Sequence, residues 1–143
     1  MSVQAVPEGY QSVIPYLIVD DVAALLTFLE KAFGGEVTEK MAMPNGAVMH
    51  AEILIGDCVI MMGAAHGDNL ANNTMLYMYV EDCDATYQRA LDAGGVSVSA
   101  PANQFYGDRS GAVKGPCGNN WGMATHVEDV APEEMARRMQ GQG

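Results

Sequence analysis

Basic residues are scarce in this sequence, and their scarcity excludes a large class of partners. The 143 residues contain 7 Lys and Arg against 18 Asp and Glu, a formal net charge of −11 at pH 7. Such a surface repels phosphate backbones and anionic lipids. An apolar run long enough to span a membrane and a secretion signal are both missing. We therefore expect a cytoplasmic protein with no nucleic-acid or membrane partner.

Cysteine is also scarce, with three residues at wide spacing and no CxxC pair. An odd number of isolated cysteines is typical of reduced thiols, so neither a disulfide framework nor a zinc site is expected from Cys58, Cys83 and Cys117. The composition, 49% hydrophobic and 17% charged, is that of a folded globular protein.

One stretch of the chain occurs twice, as residues 17–37 and again as residues 78–98. The clearest matches are Val19-Asp20-Asp21 with Val80-Glu81-Asp82, and Gly34-Gly35 with Gly94-Gly95. Each copy has an apolar strand, acidic residues that cap a helix, an apolar helical stripe and a Gly-Gly stop. The repeat therefore predicts one domain built from two similar modules.

Each module is predicted to have the order β-α-β-β-β. The predicted strands are 12–19, 36–43, 48–55 and 58–62 in the first module, and 74–80, 96–99, 106–113 and 121–127 in the second. A single domain, 1–143, is expected to contain module one (12–63), a linker (64–73), module two (74–130) and a C-terminal helix (132–140). The predicted class is α+β, with two βαβββ modules that form a cupped mixed sheet and carry their helices on its outer face. Such a sheet encloses a cavity, where ligands bind.

The duplicated pattern resembles the vicinal oxygen chelate superfamily, which includes glyoxalase I, extradiol dioxygenases, fosfomycin-resistance enzymes and bleomycin-binding proteins. Three segments are similar to its PhnB-like branch: MHAEILIGD (49–57), QFYGDRSG (104–111) and GPCGNNW (115–121). The resemblance covers nearly all of residues 12–130 and implies a homodimer.

The resemblance also implies one metal ligand on each of four strands. Carried over by position, these ligands fall on Ile14, Met62, Met75 and Gly122. None of the four is a donor that suits Zn²⁺, Ni²⁺, Mn²⁺ or Fe²⁺. We therefore expect the standard metal site to be lost and no cofactor to be bound, with a divalent metal as the alternative.

Strand alternation gives one pair of titratable candidates. In the strand 48–55, His50 and Glu52 point to the face opposite Ala51 and Ile53. Glu52 could act as a general base, with its pKa raised by burial and His50 as its partner. Alternatively, the pair faces water or hydrogen-bonds across a dimer contact. Together with His126 the pair could form a two-His-one-carboxylate metal set.

The remaining ligand-binding candidates are Tyr16, Met62, Met75, Tyr77, Tyr79, Arg109 and His126. The tyrosines and methionines share the alternation of the lost ligand positions, and they suit a flat or apolar molecule or merely fill the core. Arg109 suits a carboxylate or phosphonate, or else it pairs with Asp108 or Asp57. Trp121 is expected in the core.

Two hypotheses for the function follow. The first is a protein that binds a small organic molecule in an apolar cavity. The second is a lyase, isomerase or dioxygenase-type enzyme that uses Glu52 and His50, with a non-standard metal as an option. A degenerate module kept for protein contacts is a third possibility, and it predicts a filled cavity.

Overall fold

Two four-stranded mixed sheets organise the chain, and each is packed against one long helix. The structure is a computed structural model and describes residues 3–142. Packing divides the chain into two units, residues 1–73 and 74–143. No helix among the described residues is long and apolar enough to cross a membrane. The α+β class and the two βαβββ modules predicted from the repeat are confirmed; the single domain stays a prediction.

The first unit contains one helix and a sheet with strand order β1-β4-β3-β2. Its elements are β1 (Tyr16–Val19), α1 (Val22–Phe33), β2 (Glu36–Ala42), β3 (Val48–Ile55) and β4 (Cys58–Ala64). Strand β1 is parallel to β4, and the other two pairs are antiparallel.

Helix α1 begins and ends where the repeat predicts. The Asp21 carboxylate accepts a hydrogen bond from the backbone N–H of Ala24 at 3.0 Å and so caps the first turn. Gly34 ends the helix in the left-handed conformation, at a φ of 68°, which glycine adopts without strain. The buried stripe of α1 is Val22, Leu25, Leu26, Phe28, Leu29 and Ala32. This stripe covers one face of the sheet, mainly at β3.

The second unit repeats this arrangement with strand order β5-β8-β7-β6. Its elements are β5 (Met75–Tyr79), α2 (Cys83–Asp92), β6 (Val96–Asn103), β7 (Asp108–Lys114), a short 3₁₀ turn (Pro116–Gly118), β8 (Asn120–His126) and α3 (Pro132–Gln142). Helix α2 buries only Cys83, Thr86 and Ala90. The fully buried Trp121 supplies bulk to this core, as expected from its alternation along β8.

The largest differences from the predicted strand bounds are at the start of β1 and the end of β6, and proline is involved in both. Strand β1 begins at Tyr16, immediately after Pro15, which has no N–H to donate. Strand β6 continues through Pro101 to Asn103, because β6 is an edge strand and tolerates the missing donor where its register shifts.

Candidate functional site

One face of the first sheet carries no helix and displays a connected set of polar side chains. The register places His50 opposite Gly63, and Glu52 opposite Met61, so these residues share a face. Ala51 and Ile53, on the other face, are fully buried. The structure thus brings together two predicted candidates on the helix-free face.

A chain of hydrogen bonds joins these side chains. Tyr16 Oη lies 3.0 Å from His50 Nδ1, and His50 Nε2 lies 3.1 Å from Glu52 Oε2. The hydroxyl of Tyr10 donates to Glu52 Oε1. A carboxylate only accepts, so His50 carries its proton on Nε2, and Nδ1 accepts from Tyr16. With one proton on the imidazole, every donor in this series of hydrogen bonds therefore has an acceptor.

The pKa of Glu52 is lowered, and the expectation of a raised value was wrong. Burial alone would raise the pKa, since only 5% of Glu52 is exposed. The hydrogen bonds from Tyr10 and His50 stabilise the carboxylate more than burial destabilises it. Glu52 is therefore ionised at neutral pH and serves as a fixed acceptor, not as a proton donor.

Tyr10 is a site residue that the sequence reasoning missed, because residues 1–11 carry no periodic pattern. Its backbone N–H bonds to the carbonyl of Pro7 at 3.2 Å, so a turn directs the ring toward the sheet. The adjacent Gln11 fixes the segment, since its amide exchanges hydrogen bonds of 2.7 and 3.1 Å with the backbone of Val59. The Pro-x-Gly pattern at residues 7–9 was the available signal for this turn.

The N-terminal segment and strand β4 line a cavity of about 370 Å³ that is open to solvent on one side. Its lining residues are Ala5, Val6, Pro7, Tyr10, Gln11, Ser12, Ile14 and Met61. Met61 lies opposite Glu52 in the register, and Tyr10 bonds to Glu52. The cavity therefore adjoins the buried carboxylate.

The second unit has its own polar cluster, centred on the buried Asp108. The hydroxyls of Tyr77 and Tyr79 both donate to Asp108 Oδ2 at 2.8 Å. His126 Nδ1 lies 3.0 Å from Asp108 Oδ1, and Nε2 lies 2.7 Å from Asp129 Oδ1. The structure thus joins three sequence-predicted candidates through two aspartates that were not among them.

The ionisation of this cluster follows from its contacts. Burial alone would raise the pKa of Asp108, but hydrogen bonds from His126, Tyr77 and Tyr79 together lower it. The hydrogen bonds to Asp108 and Asp129 raise the pKa of His126. Both imidazole nitrogens face carboxylates, so the doubly protonated ring satisfies both.

Glycines allow the large side chains to lie flat on these helix-free faces. A Cβ on Gly63 would come within 2.9 Å of the Tyr16 hydroxyl oxygen. A Cβ on Gly122 would lie 3.1 Å from both Met75 Cε and Tyr77 Cδ1. Met75 therefore belongs to the face of Tyr77.

Two predicted ligand-binding residues lie elsewhere. Met62 is fully buried and pairs with Leu17 and Ala51 in the register, so it points into the helix-covered core. Arg109 binds the carboxylate of Asp84 on α2 through two nitrogens, at 2.7 and 3.0 Å. Both alternatives for Arg109, Asp108 and Asp57, were wrong, because the side chain points toward the helix.

Comparison with known proteins decides the family. The model of the Glyoxalase/Bleomycin resistance protein/Dioxygenase superfamily matches residues 11–123. The chain belongs to this superfamily. It is 31% identical over 140 residues to an uncharacterized protein of Mycobacterium bovis, covering 90% of this chain and 92% of that protein.

Solved structures of other proteins share the fold. TioX from Micromonospora sp. ML1 has a TM-score of 0.71 at 19% identity, covering 82% of this chain and 99% of that chain. The PhnB protein from Bacillus cereus, titled a putative 3-demethylubiquinone-9 3-methyltransferase, has a TM-score of 0.65 at 16% identity, covering 80% and 99%. These structures show the fold alone, whereas the family-model match over residues 11–123 confirms the resemblance to the superfamily.

The four residues to which the resemblance assigns the metal positions are poor ligands for a divalent ion. Ile14, Met62, Met75 and Gly122 offer no oxygen or nitrogen side-chain donor. In the first unit, the nitrogens of His50 and the oxygens of Glu52 are engaged with each other and with tyrosines. Within residues 3–142, no group of three His, Cys, Asp or Glu side chains could hold a metal ion.

Proposed function

We propose that this superfamily member binds a small, largely apolar organic molecule in the cavity of the first unit, without the standard metal. The observation that carries the proposal is the cavity of about 370 Å³ beside the buried Glu52 carboxylate. Its volume lies within the range of about 300–1,000 Å³ that is typical of small-molecule sites. Aliphatic side chains, a methionine and a few polar groups line it, which is the composition of an adaptable ligand site.

The test is calorimetric titration with small neutral aromatic compounds whose volume fits the cavity. Ile14→Trp should fill the cavity and abolish binding. Val13→Trp is the matched control, since Val13 is 84% exposed and does not line the cavity. The proposal fails if no compound binds, or if Ile14→Trp binds as tightly as Val13→Trp.

A second candidate function is acid–base catalysis, which the hydrogen-bonded order Tyr16–His50–Glu52 favours. An ionised carboxylate that orients an imidazole, which in turn accepts from a hydroxyl, is a recurring arrangement for proton transfer. Glu52 would position His50, and Tyr16 would exchange a proton with the bound molecule, as in an isomerase or lyase. A dioxygenase needs a redox metal, which these donors do not fit.

Proton exchange separates the two functions. A carbonyl compound that binds the wild-type protein is incubated with it in D₂O, and deuterium at its α-carbon is followed by NMR. An isomerase should accelerate the incorporation, and His50→Phe should abolish the acceleration while the compound still binds. If the wild-type protein does not accelerate the incorporation, the catalytic function is contradicted and the binding function stands.

The resemblance also leads us to propose a cytoplasmic homodimer. Analytical ultracentrifugation over a concentration series tests the dimer, and fractionation of cells that express the tagged protein tests the location. A monomer at all concentrations, or recovery outside the cytoplasm, would contradict these proposals.

A further inference from the structure

The acceptor that recognises a molecule in the proposed cavity can be identified from the contacts of Glu52. Its Oε2 is bound to His50, which lies two residues away on the same strand. Its Oε1 is bound to Tyr10, which belongs to the cavity wall and lies outside every strand. One oxygen therefore bonds to a neighbour within the sheet, and the other bonds to a side chain of the cavity wall, outside the sheet.

We propose that the hydroxyl of Tyr10 occupies the place that a ligand's own hydrogen-bond donor takes on Glu52. The ligand is then a small, largely apolar molecule that carries an O–H or N–H group, for which a phenol is a simple probe. This inference rests on the proposed function, and it adds the chemical class of the ligand and the residue that selects it.

Exchange of one donor for another is chemically balanced. A ligand hydroxyl would replace the bond from Tyr10 with a bond of the same kind, and the released Tyr10 hydroxyl, on a half-buried residue, could bond to water. A ligand without a donor that displaced Tyr10 would leave a buried carboxylate oxygen without a partner, which is costly.

Charge excludes a second class of ligand. The ionised Glu52 and the formal net charge of −11 both repel an anion. Within residues 3–142, no Lys or Arg lines this cavity. A naphthalene that carries a carboxylate should therefore bind worse than the same ring with a hydroxyl.

Three probes of similar shape test the proposal by calorimetric titration: 1-naphthol, 1-methylnaphthalene and 1-naphthoate. A probe without a donor should bind beside Tyr10 and leave its hydrogen bond to Glu52 in place. We therefore expect the wild-type protein to bind 1-naphthol at least as tightly as 1-methylnaphthalene, and 1-naphthoate least tightly. Tyr10→Phe removes the competing hydroxyl and keeps the ring, so it should tighten 1-naphthol about tenfold, the typical value of one hydrogen bond to a charged group. It should leave 1-methylnaphthalene unchanged, because that probe does not compete for Glu52.

Two further variants separate recognition from structural support. Glu52→Gln, introduced into the Tyr10→Phe protein, should reduce the preference for 1-naphthol over 1-methylnaphthalene, because an amide oxygen is a weaker acceptor than a carboxylate. Thermal melts confirm that the variant is folded. Gln11→Ala loosens the same N-terminal segment without touching Glu52, so it should change the affinity of both probes alike. A looser N-terminal segment changes the affinity of both probes, so it cannot by itself tighten the binding of 1-naphthol alone.

The outcomes are distinguishable. Equal binding of 1-naphthol and 1-methylnaphthalene, with no donor-specific gain in Tyr10→Phe, would overturn the inference while the cavity remained a binding site. Failure of all three probes to bind the wild-type protein and Tyr10→Phe would overturn it together with the cavity proposal.

Discussion

The two units carry the same residue types on their helix-free faces but connect them differently. In the first unit, His50 lies between a phenol and a carboxylate, so one proton on the ring satisfies both neighbours. In the second unit, His126 lies between two carboxylates, so two protons are required. The partners of a histidine, rather than its presence in a repeated module, determine how many ring N–H donors its hydrogen bonds require.

The two units also differ in which element supplies the large side chains of the core. Helix α1 buries a stripe with several large side chains, whereas α2 buries only Cys83, Thr86 and Ala90. The second unit recovers apolar bulk from the sheet, where Trp121 and Met123 are fully buried. The same arrangement of one helix on a four-stranded sheet can therefore take its large core side chains mainly from the helix or mainly from the sheet.

The largest expected effect concerns this difference in the cores. Trp121→Ala should lower the free energy of unfolding by about 3–5 kcal/mol, because it removes the bulkiest buried side chain and leaves a cavity. Leu29→Ala is the comparison in the first unit, where other large side chains of α1 share the burial, and it should cost less. Urea unfolding followed by circular dichroism measures both. A larger loss for Leu29→Ala would contradict the comparison.

A smaller effect is expected from the buried carboxylates. Asp108→Asn should destabilise the protein by about 2–3 kcal/mol, because a buried acceptor of three hydrogen bonds loses its charge. Glu52→Gln removes an acceptor of two side-chain hydrogen bonds and should cost less, about 1–2 kcal/mol. Chemical denaturation at pH 7 compares them, and equal losses would show that the number of donors does not matter.

The helix caps should not distinguish the units at all. Asp21 caps α1 and Asp82 caps α2. Each carboxylate accepts a hydrogen bond, at 3.0 and 3.1 Å respectively, from the backbone N–H of the residue three positions later. Asp21→Ala and Asp82→Ala should each cost about 1 kcal/mol. Asp68→Ala, in the exposed loop after β4, serves as the control. A difference between the two caps of more than about 1 kcal/mol, the whole typical value of a cap, would contradict their equivalence.

The smallest effect is a pH dependence of the second unit. Because the pKa of His126 is raised above 6.5, its contribution to stability is complete below pH 6.5 and is lost as the pH rises through the folded value. His126→Gln should therefore flatten the decline in melting temperature above pH 6.5, and Asp129→Asn should reduce it. The exposed ring, screened by solvent, keeps the effect small. An unchanged slope in His126→Gln would contradict the assignment.

Much of the fold could be predicted from the sequence because its signals are local. The cap aspartates, the Gly-Gly stop and the apolar periodicity lie within one helix, and alternation assigns His50 and Glu52 to one face. Prediction failed where a partner was distant in the chain. The partner of Arg109 proved to be Asp84, and the direction of the Glu52 pKa depends on Tyr10, 42 residues away.

The two βαβββ modules and the superfamily could be read from the amino-acid sequence, because residue type and short-range spacing specify these features. Which side chains meet depends on the tertiary structure. Strand register brought Tyr16 to His50, and a turn in the N-terminal segment brought Tyr10 to Glu52 and formed one wall of the cavity. Hydrogen bonds form over about 3 Å, and only the packed chain sets distances on that scale.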